Sequence, residues 1–392
     1  MFLLIFLALY GIANWYITSR VFRILPLRGP WKLFSLSLWL FLVFAFPVGR
    51  LCTAFCRSTF SDWMLWLGSW YLGAMVYSLF FFAIIDLLRF LSHLWLRLKS
   101  PDSKNQIKLP ERHRLRLLAA YSLFIIFVVT AGHYNAIRPV VRSYELSLPQ
   151  RSDGGTVRVA LVSDIHGGIM VDNHWLQRIV KTINETAPDV VLLAGDTVDG
   201  NVTHSQEERL SEVLAELSAP LGVYAVPGNH EYYTDTEEAV HAIESGNVTV
   251  LLDEAVEIEG LFILAGRKDI AAEQFGEKRK SLEGILTETG NALAVIVMDH
   301  TPVNLEEAAE AGIALQVSGH THRGQLFPFN FITGMLFEQD WGFLRKKDTL
   351  FYVSCGAGTW GPPIRTSSRP EVVLFDITFT AGDDLREFRE EE

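Results

Sequence analysis

Hydrophobic positions fall into two regimes along the 392 residues. Up to about residue 137 they gather in four long, sparsely charged stretches, 1–18, 33–48, 63–85 and 117–137. Runs of ~17–25 apolar residues match the ~30 Å hydrocarbon core of a bilayer, so these read as transmembrane helices. From residue 157 onward the apolar runs are short and rich in β-branched residues, at 157–163, 189–194, 222–226, 248–251, 261–265, 292–298, 313–318, 350–354 and 371–379. Such runs bounded by charge, Gly and Pro read as buried strands. Helical periodicity separates several of them, at 174–186, 205–217 and 236–245, with Asp172 or Asn173 placed to cap the first helix. Strands alternating with helices predict an α/β domain, and the scarcity of helices after about 261 shades it toward α+β. Residues 138–156 are polar and turn-rich and read as a linker. The expected organisation is a multi-span region 1–137, a linker 138–156, a globular domain 157–380 and an acidic tail 381–392.

Charge sharpens this division. Residues 1–150 carry 16 Lys and Arg against 5 Asp and Glu, whereas the remainder carries 18 against 40. An acidic globular part argues against a nucleic-acid partner, since phosphate backbones attract basic surfaces. The first stretch lacks a basic leader and a small-residue cleavage site, and Arg20, Arg23, Arg28 and Lys32 follow it, so it reads as a retained span. Four Lys or Arg follow the first span and eight lie between Arg89 and Arg116. The positive-inside rule then puts these loops in the cytoplasm and the globular domain outside it. Asp86 lies three residues before Arg89 and reads as half of an interfacial ion pair. Cys52 and Cys56 could be bridged or lipidated, and Cys355, inside an apolar run, reads as a buried thiol.

The chemistry concentrates where strands stop. Run 157–163 ends in Asp164 and His166, two residues apart and so projecting to one side of an extended chain. Run 189–194 ends in Gly195-Asp196, and 222–226 in Pro227-Gly228-Asn229-His230-Glu231. Run 292–298 ends in Asp299-His300, and 313–318 in Gly319-His320-Thr321-His322. Ligands of open α/β sheets bind outside the carboxyl ends of the strands. Carboxylate, amide oxygen and imidazole together form a set that binds metals.

These motifs, DIH, GD, GNHE, a lone DH and GHTH in that order, resemble the calcineurin-like metallophosphoesterase superfamily, in particular its membrane-tethered bacterial branch with SGHTHRGQ and SCGAGTWGPP. The resemblance implies a four-layer αββα sandwich in which two β-sheets pack face to face. It further implies that Asp164, His166, Asp196 and His322 hold one divalent cation and that Asp196, Asn229, His300 and His320 hold a second. Asp196 bridges the two, and His230 stays off the metals and faces the scissile phosphate as the proton donor. Mn, Fe, Zn and Co all suit this ligand set. The implied activity is a metal-dependent hydrolysis of phosphodiesters or phosphomonoesters in which a hydroxide held between the cations attacks phosphorus, with a lipid-like substrate suggested by the membrane region. A pyrophosphatase of UDP-diacylglucosamine-type lipid precursors and an inert scaffold of the same fold are the alternatives. The chain departs from relatives at Asp199, where a basic residue often follows GD. Arg323 follows GHTH and is the candidate for a substrate contact, while Arg365 and Arg369 either touch phosphate or are exposed. Residues 326–343 are unusually aromatic and either pack beneath the domain or form an apolar lip beside the site that meets the bilayer.

Overall fold

The computed structural model describes the chain apart from residues 1, 56, 100–109, 151–153, 201–203, 234, 288, 290–292, 382–388 and 391–392. Cys56 and most of the acidic tail therefore lie outside the described residues. The chain divides into two compact units, Met1–Gly132 and His133–Glu392.

The first unit is helical, with α1 (Phe2–Ile24), α2 (Pro30–Phe55), α3 (Thr59–Lys99) and α4 (Glu111–Ala136), the last crossing into the second unit. Among the described residues, three helices are long and apolar enough to cross a membrane, Pro30–Thr53, Thr59–Lys99 and Glu111–Ala136. These apolar helices mark the chain as membrane-associated. Polar groups inside the unit find partners, as burial demands. Asn14 donates to the carbonyl of Tyr10 at 2.8 Å and accepts from the Tyr71 hydroxyl. Asp86 pairs with Arg89 at 3.7 Å as expected, but more closely with Arg20 of α1 at 2.7 Å, and it accepts from the Tyr16 hydroxyl at 2.7 Å.

The second unit is built on two sheets. The first comprises β1 (Val140–Gln150), β2 (Thr156–Val162), β3 (Val190–Ala194), β4 (Val223–Val226) and β5 (Thr249–Val250). The second comprises β6 (Glu254–Ile258), β7 (Phe262–Gly266), β8 (Ala294–Met298), β9 (Leu315–Ser318), β10 (Gly342–Lys346) and β11 (Thr349–Val353). The late strands β12 (Glu371–Ala381) and β13 (Arg389–Glu390) return to the first sheet, whose order is β13-β1-β12-β2-β3-β4-β5. The order in the second is β10-β11-β9-β8-β7-β6. Leu148, Leu161, Leu192, Val226 and Phe375 of one sheet pack against Phe262, Ile296, Met298, Val317 and Tyr352 of the other, forming the central core. Helix α5 (Asn173–Glu185) covers the outer face of the first sheet with Trp175, Leu176, Ile179 and Ile183, and Asp172 caps it by accepting from Trp175 N. Leu282, Ile285, Leu305 and Ala308 cover the outside of the second sheet. This is the four-layer α/β sandwich expected.

One expectation fails. Among the described residues of 138–156, read as a linker, most are strand. Val140–Gln150 is a long strand paired in parallel along its whole length with β12, from Val140 opposite Glu371 to Gln150 opposite Ala381. Its Tyr144, Leu146 and Leu148 alternate inward into the core while Ser143, Glu145 and Ser147 point away, so an average polarity hides a two-residue period. The last turn of α4 is fixed into the same unit. His133 Nδ1 lies 2.9 Å from the Pro363 carbonyl, and Asn135 Nδ2 donates to the carbonyls of Arg365 at 3.0 Å and Ser368 at 2.9 Å.

Candidate metal centre

Strands β2, β3 and β4 run parallel, as do β7, β8 and β9, so their carboxyl ends gather at one rim of the sandwich. All seven ligand candidates sit just beyond those ends. Asp164 Oδ1 is 3.3 Å from His322 Nε2, which is 3.0 Å from His166 Nε2. On the other side, Asn229 Oδ1 is 2.7 Å from His320 Nδ1 and 3.2 Å from His300 Nε2. Asp196 Oδ2 lies between the two sets, 3.7 Å from His166 Nε2 and 3.2 Å from His300 Nε2. Its Oδ1 is engaged separately, accepting the His230 backbone N–H at 2.9 Å.

The backbone is strained to deliver these groups. Five of the seven, Asp164, His166, Asp196, His320 and His322, adopt positive φ between 47° and 72°. Each such residue costs on the order of 1–3 kcal/mol, a strain that concentrates at functional sites. Space is equally constrained, for a Cβ at Gly228 would fall on Asp196 Oδ1 and one at Gly319 on Asp164 Oδ2.

The electrostatics suit cations. Burial, then the neighbouring His230, pulls His166 down to about 3. Burial and then Arg365 hold His322 well below its ordinary range, and burial and then His300 lower His320. All three rings are thus kept as neutral imidazoles with lone pairs to give. Burial also opposes a charged His300, but the adjacent Asp196 overrides it and raises its pKa well above the ordinary range. His300 Nδ1 lies 2.8 Å from the Ala194 carbonyl, a bond that occupies Nδ1 and turns Nε2 toward the ligand set. Asp196 is held well below the usual carboxylate range: burial pushes it up, and His300 and His230 more than offset this. A bound cation would take over the positive charge that this buried carboxylate draws from His300. The donor set, with two carboxylates, an amide oxygen and four imidazoles converging on two points that share Asp196, fits divalent metals.

His230 Nδ1 is 3.0 Å from Asp199 Oδ1, and its ring lies 4.6 Å from that of His166, so that His166, Asp199 and His230 form a third cluster of possible ligands beside the two sets. Burial disfavours the charged form of His230, but Asp196 and then Asp199 outweigh that and raise it to about 9. Asp199, the departure noted in the sequence, is therefore the partner of this imidazole. Arg323 does not reach into the ligand sets: its guanidinium lies 3.9 Å from the Trp341 ring centroid. Arg369 is exposed, whereas Arg365 is fully buried. The exposed reading fails for Arg365: its Nη2 sits 3.0 Å from His322 Nδ1, its Nε donates to the Gly358 carbonyl at 2.9 Å and its Nη1 to Ser368 Oγ at 3.1 Å, so it braces the ring of a candidate ligand. Glu231, to which the sequence assigned no role, is fully buried and accepts the backbone N–H groups of Asp196 at 3.2 Å, Val198 at 2.9 Å and Gly228 at 2.8 Å. It ties together the two loops that carry Asp196 and Asn229. Its signal was in the GNHE motif, as a carboxylate with no ligand position left to fill.

A family model for calcineurin-like phosphoesterase matches residues 157–324. A metallophosphoesterase of Aquifex aeolicus is 33% identical over 260 residues, covering 64% of this chain and 98% of its own. One from Campylobacter jejuni is 28% identical over 389 residues, covering 96% of this chain and 98% of its own. A transmembrane protein with metallophosphoesterase domain from Danio rerio is 31% identical over 338 residues, covering 82% of this chain and 75% of its own. Fold and site together define a metal-binding hydrolase of phosphoester bonds. The chain belongs to the calcineurin-like metallophosphoesterase family.

Proposed function

We propose that this chain is a membrane-anchored phosphohydrolase that holds two divalent cations and cleaves phosphodiester or phosphomonoester bonds of amphiphilic molecules. The observation that carries the reading is Asp196, with one carboxylate oxygen facing both ligand sets while the His230 imidazole pairs with Asp199. Asp164, His166, Asp196 and His322 would hold one cation, and Asp196, Asn229, His300 and His320 the other. When bound, the cations supply Lewis-acid neutralisation of phosphoryl oxygens and a water of lowered pKa. His230 gives Nδ1–H to Asp199, which leaves Nε2–H as the proton for the departing oxygen. Asp199 fixes the ring orientation, and Glu231 and Arg365 hold the loops and the His322 ring in register. Tethering to a bilayer raises the local concentration of amphiphilic phosphoesters, which makes them the favoured substrates.

The direct test is metal analysis of the full-length protein in detergent, combined with a panel of phosphomonoesters and phosphodiesters. Two metal equivalents per chain and metal-restorable hydrolysis are expected; a protein that binds no divalent metal under any loading condition would refute the reading.

We further propose a multi-pass arrangement of four spans and an extracytoplasmic catalytic face. The support is the concentration of Lys and Arg in the loops 20–32 and 89–116. Protease added outside intact spheroplasts should then degrade the catalytic unit. Its survival there, with digestion in inverted vesicles, would reverse the orientation.

A further inference from the structure

The aromatic stretch 326–343 divides in two. Leu326 is buried, Trp341 donates its indole N–H to Glu371 at 3.2 Å, and Phe343 packs against the central core. Between them, helix Asn330–Leu336 buries none of its residues. Phe331, Ile332, Met335 and Leu336 are exposed by 47–77%, and residues 326–337 contain no charged side chain. Soluble surfaces rarely gather so many large apolar side chains on one short element.

This helix is held firmly beside the metal centre. Thr333 Oγ1 donates to Asp340 Oδ2 at 2.7 Å, while Thr321, between His320 and His322, donates to the Asp340 carbonyl at 2.6 Å. Phe337 closes the helix with its ring 5.7 Å from that of His320. At its base, Gln325 donates to the carbonyls of Trp360 at 3.0 Å and Pro362 at 2.9 Å. Trp360 is itself half exposed, with its ring 5.8 Å from His230. A second exposed aromatic side chain thus stands at the edge of the site.

We propose that Asn330–Leu336 is a lip that inserts its apolar side chains into the lipid surface and so brings the mouth of the metal centre against the bilayer. The inference rests on the membrane-anchored reading above and names the partner of the same site. The bilayer is the occupant because it is always within reach: α4 ends at Ala136 and β1 begins at Val140, so residues 137–139 span about 10 Å at most. A catalytic unit so tethered meets lipid continuously, at far higher effective concentration than any dissolved partner. The lip carries no Lys or Arg, so the contact is apolar burial at the headgroup boundary, independent of anionic lipid.

The test is depth by fluorescence. In full-length protein with Cys52 and Cys56 changed to Ser, Met335→Cys is labelled with an environment-sensitive dye and reconstituted into phosphatidylcholine vesicles containing nitroxide-labelled phospholipid. Leu336→Cys serves as an independent second site, and Lys181→Cys, on the exposed face of α5, as the reference. Emission at 335 and 336 should fall about twofold or more on nitroxide inclusion, as for groups lying in the interface, with the reference little changed and with the same result in 0.5 M salt. Quenching at 335 and 336 no greater than at 181 would overturn the proposal, as would a detergent-phase signal that changes with protein concentration, which would assign the face to a second copy. The readout needs no turnover. A quenched lip on an inactive, metal-free protein would sink the hydrolase reading alone, and an unquenched lip on an active one would sink this inference alone.

Discussion

Asp196→Asn is expected to strip metal from both positions and lower kcat by at least ~10³-fold, equivalent to about 4 kcal/mol of barrier. Oδ1 of Asp196 serves the backbone, accepting His230 N–H at 2.9 Å, and the amide oxygen of asparagine can keep that bond. What then occupies the position of Oδ2, 3.2 Å from His300 Nε2 and 3.7 Å from His166 Nε2, is an NH2 group. It presents hydrogens where a negative oxygen faced both ligand sets, so the defect is in charge and lone pairs rather than in shape. Elemental analysis should find both equivalents reduced together, whereas Asn229→Ala should spare the position built on Asp164. Circular dichroism in detergent should match the parent. A variant that retains two cations and near-normal turnover would remove Asp196 from the bridging role.

His230→Ala should behave in the opposite way, keeping its metals and losing turnover. Its Nδ1 is taken up by Asp199 at 3.0 Å, and neither assigned ligand set includes it. Loss of a positioned proton donor typically costs ~10²–10⁴-fold, and the loss should be greatest for alkyl esters and small for 4-nitrophenyl esters, whose leaving group needs no proton. Loss of bound metal in parallel with activity would refute the assignment. Asp199→Asn supplies the pH signature. Asp196 and Asp199 favour the imidazolium and set His230 at about 9, against the pull of burial. Removing one of these negative charges lowers that pKa, so the protonated fraction is lost sooner as pH rises. The alkaline limb of kcat should move to lower pH in Asp199→Asn and disappear in His230→Ala. An unmoved limb would mean that another group sets it.

The cluster of candidate ligands was legible because its members follow apolar runs, and parallel strands carry such residues to a common rim. Asp164, Asp196, Asn229 and His300 needed no knowledge of packing beyond that. Other parts were hidden for definite reasons. β1 alternates Tyr144, Leu146 and Leu148 with Ser143, Glu145 and Ser147, which reads as polar chain unless its period is examined. Arg365 lies 43 residues beyond His322, in a loop of Gly, Pro and Ser, and only the fold brings the two within 3.0 Å. The same limit applies to 326–337, where composition is largely apolar throughout but the tertiary structure buries Leu326 and leaves Met335 exposed. Asp199 could have been matched to His230 by asking what a carboxylate near GD would neutralise.

The hydrogen bonds at the end of α4 join two properties usually studied separately. His133 and Asn135 grip the loop 363–368, and Arg365 in that loop presses on His322. The final apolar helix is thus continuous with the scaffold behind one ligand, and β1, which follows it, is paired along its full length in the sheet. Cutting the enzyme loose inside this region would take away part of its own framework along with the apolar helices.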